Sequence, residues 1–118
     1  MKTSAKVVVI GGGVVGCSVL YHLTKMGWTD IMLIERSELT SGSTWHAAGG
    51  FHTLNADTNM AALQGYTIRL YRELEEITGM SCGLHHVGGV TLAGTQDRLD
   101  YLVAERAKHR YMGLDTQI

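Results

Sequence analysis

The chain has 118 residues, 45% apolar and 18% charged, a globular rather than a disordered composition, of a length that holds one domain at most. Ten Lys and Arg against eleven Asp and Glu leave a net charge of −1, which excludes a strongly basic nucleic-acid binder and a polybasic membrane-surface protein. Cys17 and Cys82 are too few for a disulfide framework or a four-cysteine zinc site.

Lys6 to Ile10 is a β-branched run bounded by glycines and reads as a buried strand. Lys2 and Lys6 precede an apolar stretch reaching Leu23, which raises the question of a targeting segment. Gly11, Gly12, Gly13 and Gly16 break that stretch, His22 lies inside it, and a small-x-small cleavage site is missing, so it reads as strand, tight turn and helix. A folded element beginning by Lys6 leaves no room for a transit peptide, and the expected location is the cytoplasm. Val14 to Met26 reads as a helix with Val15, Val19, Leu20 and Leu23 at helical spacing and Gly27 as its C′ residue. Trp28 reads as core or sheet-edge packing. Ile31 to Ile34 is a second short strand, so the first thirty-odd residues form a βαβ unit with a parallel strand pair.

Arg36 to Asp57 is a long connection rich in Ser, Thr and Gly, and connections of that length inside compact domains are usually functional or disordered. Trp45 and the pair Ala47-Ala48 argue against disorder. A helix from Thr58 to Thr78 follows, with Asp57 as N-cap, Gly79 as its stop, and Met60, Leu63, Thr67, Leu70, Tyr71, Leu74 and Ile77 as the expected inward stripe. Arg69/Glu73 and Arg72/Glu76 read as pairs on a solvated face. Leu84 to Ala93 reads as strand material interrupted by Gly88-Gly89. Thr95 then caps a helix to about Tyr111, with Leu99, Leu102, Val103 and Ala107 inward. A βαβ unit cannot cover both faces of a two-stranded sheet, so the chain reads as the N-terminal piece of a larger protein.

Gly11-Gly-Gly13-Val-Val-Gly16 fits G-x-G-x-x-G directly between a strand and a helix. In that pattern Gly11 permits the tight turn, Gly13 lets the backbone approach a pyrophosphate, and Gly16 lets the helix pack closely on the strand. The amides of Val14 and Val15 open the helix, where the dipole favours an anion. Glu35 follows Gly16 by 19 positions, the place of a carboxylate that accepts from the ribose diol. These residues predict a dinucleotide site, and by themselves they do not separate FAD from NAD.

The next segment is more specific. Ser43 and Thr44 offer hydroxyls, Trp45 a large apolar plane, His46 an imidazole, and Ala47, Ala48 and Gly49 the small side chains that a bulky ring needs close by. Through Ile10-Gly-Gly-Gly-Val-Val-Gly16, Leu33-Ile-Glu-Arg36 and Leu39-Thr-Ser-Gly-Ser-Thr-Trp-His-Ala-Ala-Gly49, the chain resembles the flavin-dependent dehydrogenases and oxidases of dimethylglycine and sarcosine, within the wider D-amino-acid-oxidase-like group. A looser match continues through Leu70 to Gly79 and Gly88 to Leu92, so the resemblance covers nearly the whole chain.

The resemblance implies an α/β fold: a Rossmann-like FAD-binding βαβ portion over residues 1–83 and the start of a mixed α+β substrate domain over 84–118. It implies FAD joined covalently through its 8α-methyl to His46, with Val14, Val15, Glu35, Arg36 and the stretch Gly42 to Gly50 lining the cofactor. It implies oxidation of an N-methylated amine or amino acid, with an electron-transfer flavoprotein or oxygen as electron acceptor. No nucleic acid or membrane partner is expected. Family members often continue Ala-Ala-Gly-Leu where this chain has Gly49-Gly50-Phe51-His52, a departure that bears on the substrate more than on the cofactor. An NAD-binding Rossmann module shares Gly11 to Glu35 but leaves the His46 string unexplained. An inactive truncated FAD-binding fragment is the other alternative. His52 reads as a loop histidine, and Cys17 as a small buried side chain. Cys82, His85 and His86 lack a fourth ligand for zinc, so no metal is expected.

Overall fold

Two short parallel strands and the helix between them form the first unit. The computed structural model describes residues 3–118; Met1 and Lys2, the latter part of the targeting question, lie outside the described residues. Strand β1 is Val7–Ile10, helix α1 Val14–Lys25 and strand β2 Ile31–Ile34. The strands pair in parallel, Val7 with Ile31 through Ile10 with Ile34. The ladder extends at both ends, from Lys6 N–H to the Asp30 carbonyl at 3.0 Å and from Gly11 N–H to the Ile34 carbonyl at 2.8 Å. Val9 is the buried residue of this pair. Trp28, expected in the core or at the sheet edge, is exposed.

Helix α1 ends as its sequence predicts. Gly27 takes φ +88, its N–H donates to the Thr24 carbonyl at 2.9 Å, and Trp28 N–H donates to the Leu23 carbonyl at 3.0 Å. These are the two bonds of a Schellman stop, which satisfy the last carbonyls of the helix and need the left-handed conformation that glycine adopts without strain.

Gly11 holds φ +107 at the exit from β1. At Gly16 a Cβ would overlap the carbonyl oxygen of Gly11. The helix therefore leaves the strand at a distance only glycine permits, which is the role the spacing assigns to Gly16.

Residues 39–46 then fold as a run of overlapping turns. Trp45 N–H donates to the carbonyls of Thr40 at 3.1 Å and Gly42 at 3.2 Å, His46 N–H to that of Ser43 at 3.2 Å, and Ala47 N–H to that of Thr44 at 3.2 Å. The segment is thus ordered by its own backbone, as Trp45 and the alanine pair suggest.

The chain divides into two compact units, one up to Gly49 and one from Gly50 to Ile118. This division is one of contacts; the 83/84 boundary expected from the sequence divides a cofactor role from a substrate role. In the second unit α2 is Thr58–Thr78 and α3 is Gln96–Tyr111. Asp57 caps α2 by accepting from Met60 N–H at 2.8 Å, and Gly79 closes it at φ +67. Thr95 caps α3 by accepting from Arg98 N–H at 3.2 Å.

Two expectations for this unit fail. Leu84 to Ala93 forms no strand, and Val87 and Val90 are 88% exposed. A strand exists only by pairing with another edge, and the described residues offer this run none. The inward stripes are also narrower than expected. Ala61 and Leu70 are buried on α2, whereas Met60, Leu63 and Ile77 are exposed, and on α3 Leu99 and Val103 are exposed while Leu102, Glu105, Arg106 and His109 are half-buried. A stripe is buried only over the length that another layer covers.

Two substitutions test these assignments by chemical denaturation of the expressed protein. Gly16→Ala should lower stability by about 2 kcal/mol or more, because the clash is with backbone and the helix must move off the strand. Asp57→Ala should cost about 1 kcal/mol through loss of the cap, with Asp57→Asn close to wild type.

Candidate functional site

Helix α1 begins with a deficit. Its N-cap is Gly13, extended at φ −77 and ψ −179, which has no side chain to satisfy the first amides. Thr44 meets part of that need from far along the chain: Val14 N–H donates to Thr44 Oγ1 at 2.9 Å. Cys17 N–H donates to the Gly13 carbonyl at 2.9 Å. The N–H groups of Val15 and Gly16 have no partner among the described residues. They stand at the positive end of the helix dipole, where an anionic oxygen is the favoured acceptor.

Glu35, at the end of β2, reaches back to the same turn. Its Oε2 accepts from Gly12 N–H at 2.7 Å and its Oε1 from Ser37 N–H at 2.9 Å. These bonds favour the ionised form. The carboxyl is held below its ordinary value of 4.5, first by the Gly12 amide and then by the Ser37 amide, against desolvation, with smaller help from the backbone and charge of Arg36. Each carboxylate oxygen has a second acceptor direction, so Glu35 can still take a hydroxyl.

A cleft of about 850 Å³ opens over this arrangement. Of the residues singled out by sequence, Gly11, Gly13, Val14, Val15, Gly16, Glu35, Arg36, Gly42, Ser43 and Thr44 line it. Trp45, His46, Ala47, Ala48, Gly49 and Gly50 do not. Trp45 is 79% exposed and His46 is exposed. Sequence reasoning missed Gly12, Thr40, Ser37 and Ser41. Gly12 occupies an x position of the motif, yet its N–H bonds Glu35, its carbonyl accepts from Thr40 N–H at 2.9 Å, and a Cβ there would overlap Leu39. The run of three glycines was the available signal. Thr40 takes φ +65, unusual for a β-branched residue, and no local pattern announces it.

The imidazole of His46 is oriented by its own turn. Nδ1 lies 2.9 Å from the Gly42 carbonyl oxygen. A carbonyl only accepts, so Nδ1 carries the proton and the lone pair of the neutral ring resides on Nε2. Cys17, expected as a small buried side chain, is half-buried, with Sγ 3.5 Å from the Gly12 carbonyl.

The donor set fits a dinucleotide. Unpaired amides at a helix start suit a pyrophosphate, an ionised carboxylate beside them suits a ribose diol, and the glycines leave room that a Cβ would fill. The second unit carries an open hollow of about 1120 Å³ whose lining includes His52, His85 and His86. His86 Nε2 accepts from Arg72 Nε at 2.8 Å, and among the described residues no three His, Cys, Asp or Glu are grouped to hold a metal ion. No described helix is long and apolar enough to cross a membrane.

Comparison with known proteins agrees with this chemistry. The chain is 48% identical to rat (Rattus norvegicus) dimethylglycine dehydrogenase over 99 residues, 84% of this chain and 12% of that protein. It is 46% identical to human (Homo sapiens) sarcosine dehydrogenase over 101 residues, 85% of this chain and 11% of that protein. It is 39% identical to the mouse (Mus musculus) pyruvate dehydrogenase phosphatase regulatory subunit over 118 residues, all of this chain and 13% of that protein. The chain thus spans about an eighth of the length of these relatives. All three are named as mitochondrial, which overturns the expectation of a cytoplasmic protein. That expectation took a strand beginning near Lys6 as a sign that no leader exists, and where folding starts carries no such information. A family profile described as FAD dependent oxidoreductase matches residues 6–118, and with these identities the chain belongs to that family.

Proposed function

We propose that this chain is the Rossmann-like, cofactor-binding portion of an oxidoreductase that oxidises an N-methylated amine or amino acid of the dimethylglycine or sarcosine kind, with FAD held covalently through His46. The observation that carries the reading is the attachment of the 35–44 segment to the glycine turn, by Glu35 to Gly12 and Thr44 to Val14. It gathers free helix-start amides, an ionised carboxylate and the His46 turn in one unit. The names of the dimethylglycine and sarcosine dehydrogenases support the substrate class.

In this reading the N–H groups of Val15 and Gly16 bind the pyrophosphate, that of Val14 being taken by the Thr44 hydroxyl, and Gly11, Gly13 and Gly16 keep the turn free of side chains. Glu35 accepts from the ribose. Arg36 and the stretch Gly42 to Gly50 line the rest of the cofactor. His46 offers Nε2 as its nucleophilic atom, because the Gly42 carbonyl retains the proton on Nδ1. When bound, FAD supplies the two-electron acceptor that takes hydride from the N-methyl carbon, and electrons then leave to oxygen or to an electron-transfer flavoprotein. The amine becomes an iminium that releases formaldehyde to water or to a folate. Residues 84–118 open the substrate-binding part. A second reading, a regulatory protein that keeps the fold without turnover, is favoured by the match to the phosphatase regulatory subunit over all 118 residues.

Three outcomes follow. Protein made in its own cell, precipitated in acid and washed, should retain flavin fluorescence on the polypeptide, and His46→Ala should lose it; flavin washing off both would end the covalent assignment. Without oxygen, sarcosine or dimethylglycine should bleach the flavin absorbance, whereas no bleaching by either would favour the regulatory reading. Glu35 should also mark the acid side. Its folded pKa lies below 4.5, so its contribution is present above that value and is lost as pH falls through the lower folded one. Glu35→Gln should weaken FAD binding at neutral pH and flatten the fall in stability on acidification, measured by denaturation midpoint against pH.

A further inference from the structure

We propose that Thr44 is a positioning residue for His46: its hydroxyl caps α1 from a distance and thereby holds the attachment turn at the amino end of the helix. The proposal rests on the covalent reading above.

A helix start normally takes its cap from the N-cap side chain, and Ser, Thr, Asp or Asn there accepts from an amide of the first turn. Position 13 cannot supply one. It is glycine, and a Cβ on it would stand 3.0 Å from Thr44 Oγ1, which is tight for any side chain. The cap comes instead from 30 residues further on, as Thr44 Oγ1 accepts from Val14 N–H at 2.9 Å. The space at Gly13 and the hydroxyl of Thr44 are therefore two halves of one arrangement.

Thr44 stands two residues before His46 in the same run of turns. The Thr44 carbonyl accepts from Ala47 N–H at 3.2 Å, His46 N–H donates to the Ser43 carbonyl at 3.2 Å, and His46 Nδ1 is fixed on the Gly42 carbonyl at 2.9 Å. A displacement of Thr44 relative to α1 thus carries the imidazole with it. The other ties from this segment to the glycine turn, Glu35 to Gly12 and Thr40 to Gly12, act earlier in the chain, and Trp45 N–H on the Thr40 carbonyl links the attachment turn to them; Thr44 is the tie nearest His46 and the one that reaches the helix itself. Thr44 fixes the offset between the phosphate-binding amides and the nucleophile.

In the attachment a bond forms between His46 Nε2 and the 8α carbon, and a C–H bond at that carbon breaks. That hydrogen and the imidazole N–H proton, with two electrons, pass to the flavin ring. Oxygen or an electron-transfer flavoprotein then removes them. Such steps are sensitive to placement of the reacting atoms.

The test uses the full-length protein expressed without flavin and then given saturating FAD, with acid-stable flavin followed over time and total bound FAD measured in parallel. Thr44→Val keeps the shape and loses the hydroxyl; Thr44→Ser keeps it. We expect Thr44→Val to slow covalent incorporation per bound FAD about ten-fold, and Thr44→Ser to restore it to within about three-fold of wild type. A role confined to capping the helix would lower stability and FAD occupancy but leave incorporation per bound FAD unchanged, and that result overturns the proposal. Wild type with no acid-stable flavin would overturn the covalent reading, and the proposal with it. Should Thr44→Val not accumulate, residue-resolved amide exchange on flavin-free wild type decides: Val14 protected and Val15 unprotected supports the cap, and a freely exchanging Val14 overturns it.

Discussion

Only three residues separate the end of β1 from the start of α1, and the first turn of the helix lies against the Gly11 carbonyl with no room for a Cβ at position 16. That close crossing brings the helix start onto the end of the strand and leaves amides there without intrahelical acceptors. It also puts Gly11 at φ +107, a conformation that glycine adopts without strain. Because the crossing excludes side chains, the polar groups it leaves must be met from elsewhere. Glu35, Thr40 and Thr44 meet several of them, and so the connection after β2 is drawn over the turn.

Glu35 shows how a group can be fixed by the fold and still keep acceptor capacity. A carboxylate that accepts backbone N–H bonds at both oxygens is locked in place and ionised, and the charge stands near the positive end of α1. It still has acceptor directions to offer a hydroxyl. A neutral side chain of the same shape would keep some of the geometry and lose the charge. The acid that stands 19 residues after the last glycine is therefore also a structural tie to the glycine turn.

The second unit is organised differently. Its helices are bounded by local signals, Asp57 and Gly79 for α2 and Thr95 for α3, and these act whether or not anything packs on the helix. Its burial is sparse: Ala61 and Leu70 are its buried apolar residues, and the run from Leu84 to Ala93 forms no strand. Capping is a property of the chain near the helix end, whereas a buried face is a property of two surfaces.

The same distinction separates what the sequence determined from what the tertiary structure decided. The βαβ order, the helix over 58–78 with both of its caps, the stop at Gly27 and the roles of Gly11 and Gly16 were legible in the sequence, because each depends on residues within a few positions or on a fixed spacing. The bond from Glu35 to Gly12, the left-handed Thr40, the cap supplied by Thr44 and the tautomer imposed on His46 were not. The two long-range bonds join groups 23 and 30 residues apart, and the other two depend on how the turns between them close. The missing strand at 84–93 has the same cause in reverse: its residues favour extension, but a strand needs a second edge, and only the folded chain decides whether one is there.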